Sequence, residues 1–220
     1  MISNFKPQTV NLRIQGINKY LEFTHKKKLC LSLIKIQQKN FTDNIISEEE
    51  YNLLKIKLKQ NGKIKWYLIV WMLGATGMRI GELTNLRIEN IQNTIVDIYA
   101  KGGKYRRVYI PSKLSKELRY WYISEGRYSG FVFLNRYGNK LSGKGISIQL
   151  KTYAREYGIN PSVVHPHAFR HFFAKSFLLK YPDLPLLADL LGHENISTTR
   201  IYLRKSSQEQ QQLINKIVKW

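Results

Sequence analysis

Apolar and polar positions change their spacing several times along the chain, and each change marks an element. Leu12, Ile17, Tyr20 and Leu21 recur at helical intervals and predict one amphipathic helix within "TVNLRIQGINKYLEF". The next stretch, "LCLSLIKIQQ", reads as extended or linking chain. At "SEEEYNLL" a capping box opens a helix, because Ser47 can accept from the free N–H groups and Glu50 stands three residues on. That helix stops at Asn61-Gly62, and a mostly apolar helix covers about Ile64 to Leu73. "GATGMRIGELTNL" reads as a turn and a short helix. "TIVDIYAKGGKYRRVYIP" alternates with period two on both sides of Gly102-Gly103, so it predicts a β-hairpin ended by Pro111. A helix returns from about Ser112 to Ser124, and "GFVFLN" reads as a short strand or buried link. From Ser142 onward the pattern is helical, with breaks near Asn160-Pro161, Pro182, Gly192 and Ser206. The predicted fold class is mainly α with a small antiparallel β-sheet.

Charge narrows the choice of partner. The 220 residues can hold one large domain, or one domain and part of another. Lys and Arg number 36 against 15 Asp and Glu, so 36 − 15 leaves +21. Such a field attracts polyanions, with nucleic acid ahead of an anionic membrane surface. A membrane is disfavoured, since the longest apolar run, Trp66 to Ala75, is far short of the ~20 residues a spanning helix needs. The N-terminus has no apolar signal core, and the single cysteine, Cys30, excludes an intramolecular disulfide. A cytoplasmic location is expected. The first 40 residues are basic, with eight Lys or Arg against Glu22 alone. A piece this short rarely folds by itself, so residues 1–45 are expected to dock on the rest or to be part of a larger helical domain plus linker, and 46–220 to be the main domain.

Four clusters can carry chemistry. In "HPHAFRHFF", His167, Arg170 and His171 share one helical face. In "TGMRIGEL", Arg79 and Glu82 are three apart, which suits an intrahelical ion pair as well as a cleft-facing arginine. "KGGKYRR" gathers Lys101, Lys104, Arg106 and Arg107 around the hairpin turn, either as a solvated edge or as contacts to backbone phosphates. In "LGHENISTTRIYL", Gly192 suits the left-handed residue that ends a helix, His193 follows it, and Ser197 can cap a short helix carrying Tyr202. No cysteine or carboxylate completes a metal site beside the histidines, and no nucleotide-binding glycine motif is present.

Taken in order, "TGMRIGEL", "AKGGKYRRVYIP", "HAFRH", "LGH" and "TTRIYL" resemble the tyrosine recombinase (phage integrase) family over about Ser47 to Trp220. The resemblance implies a catalytic pocket of Arg79, Lys101, His167, Arg170 and His193 around the nucleophile Tyr202. It makes Glu82 a supporting residue and favours Lys101 over its neighbour Lys104 as the hairpin lysine, while Lys104, Arg106 and Arg107 stay candidates for contact with the DNA backbone. Two arginines can neutralise a phosphodiester and follow charge onto its transition state. A phenol with pKa near ~10 needs a base, which the resemblance assigns to His167. Lys101 would protonate the departing 5′ oxygen, and His193 would bond a non-bridging oxygen. The covalent phosphotyrosine conserves the bond, so neither metal nor other cofactor is expected. The implied partners are double-stranded DNA, further copies forming a tetramer on DNA, and an excisionase-type accessory protein. The last helix, with Leu213, Ile214, Ile217 and Val218, suits docking on its own core or on a neighbouring copy equally. Beside a mobile-element recombinase stand a non-catalytic DNA binder competing with a longer recombinase, and a type IB topoisomerase-like enzyme.

Overall fold

A computed structural model of the protein describes residues 5–35, 45–91, 94–100, 104–193, 195–203 and 207–218. The chain divides into two compact units, Met1–Asn40 and Phe41–Trp220.

The first unit is built on α1 (Pro7–Phe23), whose N1 position is proline, a residue that loses nothing there because that N–H has no intrahelical partner. The chain then turns back and runs extended beside the helix. Asn18 accepts from the Leu31 N–H at 2.8 Å and donates to the Leu31 carbonyl at 2.9 Å. Asn11 makes the same pair of bonds with Ile34, at 2.8 and 2.9 Å. Two helical turns advance ~10.5 Å, and three extended residues advance ~10 Å, so the two asparagines meet the strand-like segment in register. The helix forms as its periodicity predicts, but its apolar face is unpacked within this unit. Leu12, Ile17 and Tyr20 are exposed, Leu12 by 69%, and Val10 is the buried residue of the helix. One helix and one extended strip cannot supply the second layer that would cover that face.

The second unit begins with α2 (Glu48–Gln60), opened by the expected capping box. Ser47 Oγ accepts from the Glu50 N–H, and the Glu50 carboxylate accepts from the Ser47 N–H. α3 (Ile64–Thr76) is apolar on nearly every side and is the central helix. It packs on α2 and on two later helices, α5 (Ser112–Ser124) and α7 (Pro166–Lys180). α3 ends at Gly77, whose φ is 60° and where a Cβ would stand 2.5 Å from the Phe173 ring. The chain turns there into α4 (Ile80–Thr84). The hairpin pairs β1 (Ile95–Ala100) antiparallel with β2 (Lys104–Tyr109). Its Gly102-Gly103 turn lies outside the described residues, as does Lys101. "GFVFLN" is a buried link, with Val132 and Phe133 in the core and isolated bridges from Phe131 to Arg87 and from Leu134 to Lys140.

After α6 (Gly143–Glu156), the helices that carry the last motifs are α7, α8 (Leu184–Leu191) and the one-turn α9 (Ile196–Thr199). A 3-10 turn, Arg200–Leu203, and α10 (Ser207–Ile217) follow. Two local expectations are corrected. Asn195, not Ser197, caps α9, its Oδ1 accepting from the Ser197 N–H at 2.8 Å. Tyr202 sits in the 3-10 turn beyond α9 rather than on the helix. The main core joins α2, α3, α5 and α6 to the hairpin and the start of α7. A second, smaller core of Ala174, Leu187 and Leu191 includes Tyr202 itself. The fold is mainly α with a small antiparallel sheet. Among the described residues, no helix is long and apolar enough to cross a membrane.

Candidate active site

The C-terminus of α8 is the centre of the site. A helix leaves its last carbonyls without intrahelical partners and gathers partial negative charge there. Gly192, at φ 63° and ψ 51°, stops the helix and turns these carbonyls outward. Three successive ones each accept from a different arginine. The Leu190 carbonyl accepts from Arg106 at 2.5 Å, Leu191 from Arg170 at 2.7 Å, and Gly192 from Arg79 at 3.3 Å. One helix end thus gathers side chains from α7, β2 and the N-cap of α4.

The three arginines are held differently. Arg79 also donates to Glu82 Oε1 at 2.9 Å, and its side chain is close to half exposed. Guanidinium has five donors, so Arg79 keeps some for a ligand. Arg170 is 5% exposed and donates as well to the Gly77 carbonyl at 2.6 Å. Burial, then the neighbouring Arg79 charge, pulls its pKa down to about 10, which leaves it cationic at neutral pH. Arg106 is buried and bonded to Glu82 Oε2 at 2.6 Å. It was grouped with the phosphate-contacting cations, but its guanidinium faces inward and joins hairpin to helix. Strand alternation carries the signal for this: Arg106, Val108 and Ile110 are buried, while Tyr105 and Tyr109 are exposed. Arg107 points the other way and binds Asp97 across the strands at 2.7 Å. The Lys104 side chain lies outside the described residues.

Glu82 is the shared counter-charge. It accepts from the Arg79 N–H at 2.6 Å as well as from both guanidiniums. Burial favours its neutral form, but Arg106 and these hydrogen bonds outweigh that and hold the carboxyl below its usual range.

The histidines surround the tyrosine. Tyr202 is 9% exposed. The His193 ring stacks beside it, with centroids 6.1 Å apart and planes at 15°. The His171 ring meets it edge-on at 4.9 Å. His193 Nε2 lies 2.9 Å from Arg170, and its Nδ1 lies 2.8 Å from Thr199 Oγ1. Burial and then the Arg170 charge push His193 down to about 4, so it is neutral at pH 7. His171 is pushed down by burial too, and its Nδ1 is buried with no hydrogen-bond partner among the described residues. His167, one turn earlier on α7, is exposed. His165 caps α7, its Nδ1 accepting from the Ala168 N–H at 3.2 Å.

Arg79, Glu82, Arg170 and His193 are therefore brought together at the end of α8, with the Tyr202 ring against His193. The contacts of His171 and Thr199 with that cluster were not singled out from sequence. For His171 the i, i+4 relation to His167 was visible, but for Thr199 only the folded turn supplies the contact. A cleft of about 660 Å³ opens beside Arg79, between α4 and the hairpin, with Glu82, Arg106, Tyr99, Tyr105 and Gly192 in its walls. Among the described residues, no group of three or more His, Cys, Asp or Glu is placed to hold a metal ion.

Known proteins share both the sequence pattern and the fold. The model of the phage integrase family matches residues 44–209. Tyrosine recombinase XerA of Pyrococcus furiosus is 31% identical over 215 residues, covering 95% of this chain and 74% of that protein. Tyrosine recombinase XerC of Lactobacillus delbrueckii subsp. bulgaricus is 37% identical over 150 residues, 64% of this chain and 50% of that protein. The chain thus spans half to three quarters of these relatives' lengths. The crystal structure of XerA recombinase superposes with a TM-score of 0.68 at 21% identity, covering 100% of this chain and 86% of that one. The Tn1549 transposon integrase in complex with circular intermediate DNA gives 0.71 at 16% identity, covering 98% and 82%. At such identities the structural likeness concerns the fold. The family match covers most of the chain: it belongs to the phage integrase family, and its fold is that of the tyrosine recombinase catalytic domain.

Proposed function

We propose that the chain is a site-specific recombinase that cuts and rejoins duplex DNA through a covalent 3′-phosphotyrosine at Tyr202. Its service would be the integration or excision of a mobile element. The observation that carries the reading is the placement of Tyr202 against His193, in the cluster where one helix end holds Arg79 and Arg170. In the proposed reaction the phenol oxygen attacks the phosphorus and the bond to the 5′ oxygen breaks. The phenol proton passes to a base, for which the exposed His167 is the candidate, and Lys101 protonates the leaving oxygen. Arg79 and Arg170 balance the charge that gathers on the transition state, so no metal ion is called for. Rejoining is the same step in reverse, with the phosphotyrosyl bond as the energy store.

The charge of +21 supports a duplex DNA partner. α10 supports assembly on DNA, because Ile214, Ile217 and Val218 are exposed. A tetramer of copies and an excisionase-type accessory protein are the proposed company, and the cytoplasm the proposed setting. Residues 1–45 are proposed to be part of a core-binding domain with its linker.

A duplex nicked so that the 5′-hydroxyl fragment diffuses away after cleavage tests the reading. The wild type should accumulate a denaturant-resistant protein–DNA adduct. Tyr202→Phe should bind the duplex within about twofold of wild type and give none. A wild type that binds this DNA without an adduct would instead be a competitor of longer recombinases.

A further inference from the structure

Arg79 leans on two groups, and Arg106 stands behind both. The Arg79 guanidinium reaches Glu82 Oε1 at 2.9 Å and the Gly192 carbonyl at 3.3 Å, while its side chain stays 43% exposed. A long, half-exposed side chain keeps its rotamer freedom unless its partners are themselves fixed. Glu82 is fixed through its other oxygen, because Oε2 accepts from Arg106 at 2.6 Å. The Gly192 turn is backed from the same side. Arg106 donates to the Leu190 carbonyl at 2.5 Å, and its stem packs so close that a Cβ on Gly192 would stand 2.6 Å from Cδ. Arg106 has little room to move, since its side chain is 5% exposed. Its Nε is buried with no hydrogen-bond partner among the described residues. That orphan donor follows from aiming the two terminal nitrogens at separate targets.

We infer that Arg106 is a positioning residue for Arg79, which it aims from behind by immobilising the carboxylate and the helix end on which Arg79 rests. Without Arg106, Glu82 keeps hydrogen bonds only to Arg79 itself, to its N–H and its guanidinium. The two residues would then move as one local pair, tied to neither the hairpin nor the end of α8. Arg170 would still hold the Leu191 carbonyl, so the loss falls on the exposed arginine and not on the buried one. The consequence is chemical. A donor held in place before the reaction stabilises developing charge without reorganising, and a displacement of about 1 Å can cost about 100-fold in rate.

The inference rests on the recombinase reading only for its kinetic part, and the experiment has two independent readouts. The first needs no DNA. Nitrogen relaxation of the arginine Nε–H groups in 15N-labelled full chain reports how firmly Arg79 and Arg170 are held, with Arg79→Lys and Arg170→Lys assigning the signals. Both should give order parameters of about 0.8 in the wild type, near the rigid limit. In Arg106→Met the Arg79 value should fall below about 0.6, while Arg170, held by the Gly77 and Leu191 carbonyls, keeps its own. An unchanged Arg79, an Arg79 already mobile in the wild type, or equal loosening of both arginines would overturn the inference. The second readout is adduct formation on the nicked duplex, at a temperature where thermal unfolding curves show each variant folded. Arg106→Met should be slower by about 10- to 100-fold, with duplex affinity within about threefold of wild type. A wild-type rate in Arg106→Met would contradict the role. Arg106→Lys covers the case in which Arg106→Met does not fold, since it keeps a charge for Glu82 but lacks the fork that also reaches Leu190. It should loosen Arg79 and slow the adduct by at least about threefold, and wild-type values for both would sink the inference. Failure of the wild type to form any adduct would count against the recombinase reading, while the order parameters still decide the role of Arg106.

Discussion

Glu82 carries one negative charge between two arginines, and the charge is costly to remove because Arg106, bonded to it, is buried. Glu82→Gln keeps the shape but leaves Arg106 buried with no counter-charge, which should cost about 3–5 kcal/mol. Chemical denaturation measures this, and a loss below about 1 kcal/mol would mean that Arg106 finds water. The histidines give the same scale a pH signature. His165, His171 and His193 all lie below the usual histidine value, each pushed first by burial. Their folded pKa values are below the unfolded one, so the unfolded chain takes up protons first as pH falls. The stability they contribute is complete above about pH 6.5 and declines as pH falls toward about 4, where His193 itself protonates. The denaturation midpoint should fall across that window, and less steeply in His193→Gln. Equal slopes would show that His193 is not held neutral. Arg79, Glu82 and Tyr202 could be singled out at this scale because their residue types and spacing suit the proposed chemistry. Arg106 was misassigned because a run of basic residues looks alike in sequence, whereas alternate strand positions face opposite ways.

Local signals place the helices well, and long-range ones do not. The capping box at Ser47 and the bounds of α5 follow the sequence reading, because caps and helical periodicity act within a few residues. The unpacked face of α1 was not legible, since burial depends on what else the unit contains. The C-terminus of α8 had only a glycine to announce it, and the three arginines that meet there come from distant parts of the chain. Gly192 is consequently the element-scale test. Alanine there must hold φ at 63°, and its Cβ would stand 2.6 Å from Arg106 Cδ. Arg106 cannot easily yield, being bonded to both Glu82 and Leu190. Gly192→Ala should lose about 2–4 kcal/mol. Gly62, at φ 67° with open space around it, makes the control, and Gly62→Ala should lose about 1 kcal/mol. Equal losses measured by denaturant would mean that the close approach to Arg106 carries no weight.

For the whole molecule, the arrangement divides labour between an open arginine, a buried arginine and a tyrosine seated in its own small core. The excess of basic residues supplies attraction to a polyanion without saying which sequence is read, because phosphate contacts carry no base information. The central claim is that Tyr202 is the residue that becomes joined to DNA. Protease mapping of the adduct from the nicked duplex, by mass spectrometry, tests it most directly. The account predicts a single DNA-linked peptide, modified at Tyr202 through the 3′ phosphate, together with a released 5′-hydroxyl strand. Linkage at any other residue, or cleavage that leaves a free 3′ phosphate and no linked peptide, would contradict it.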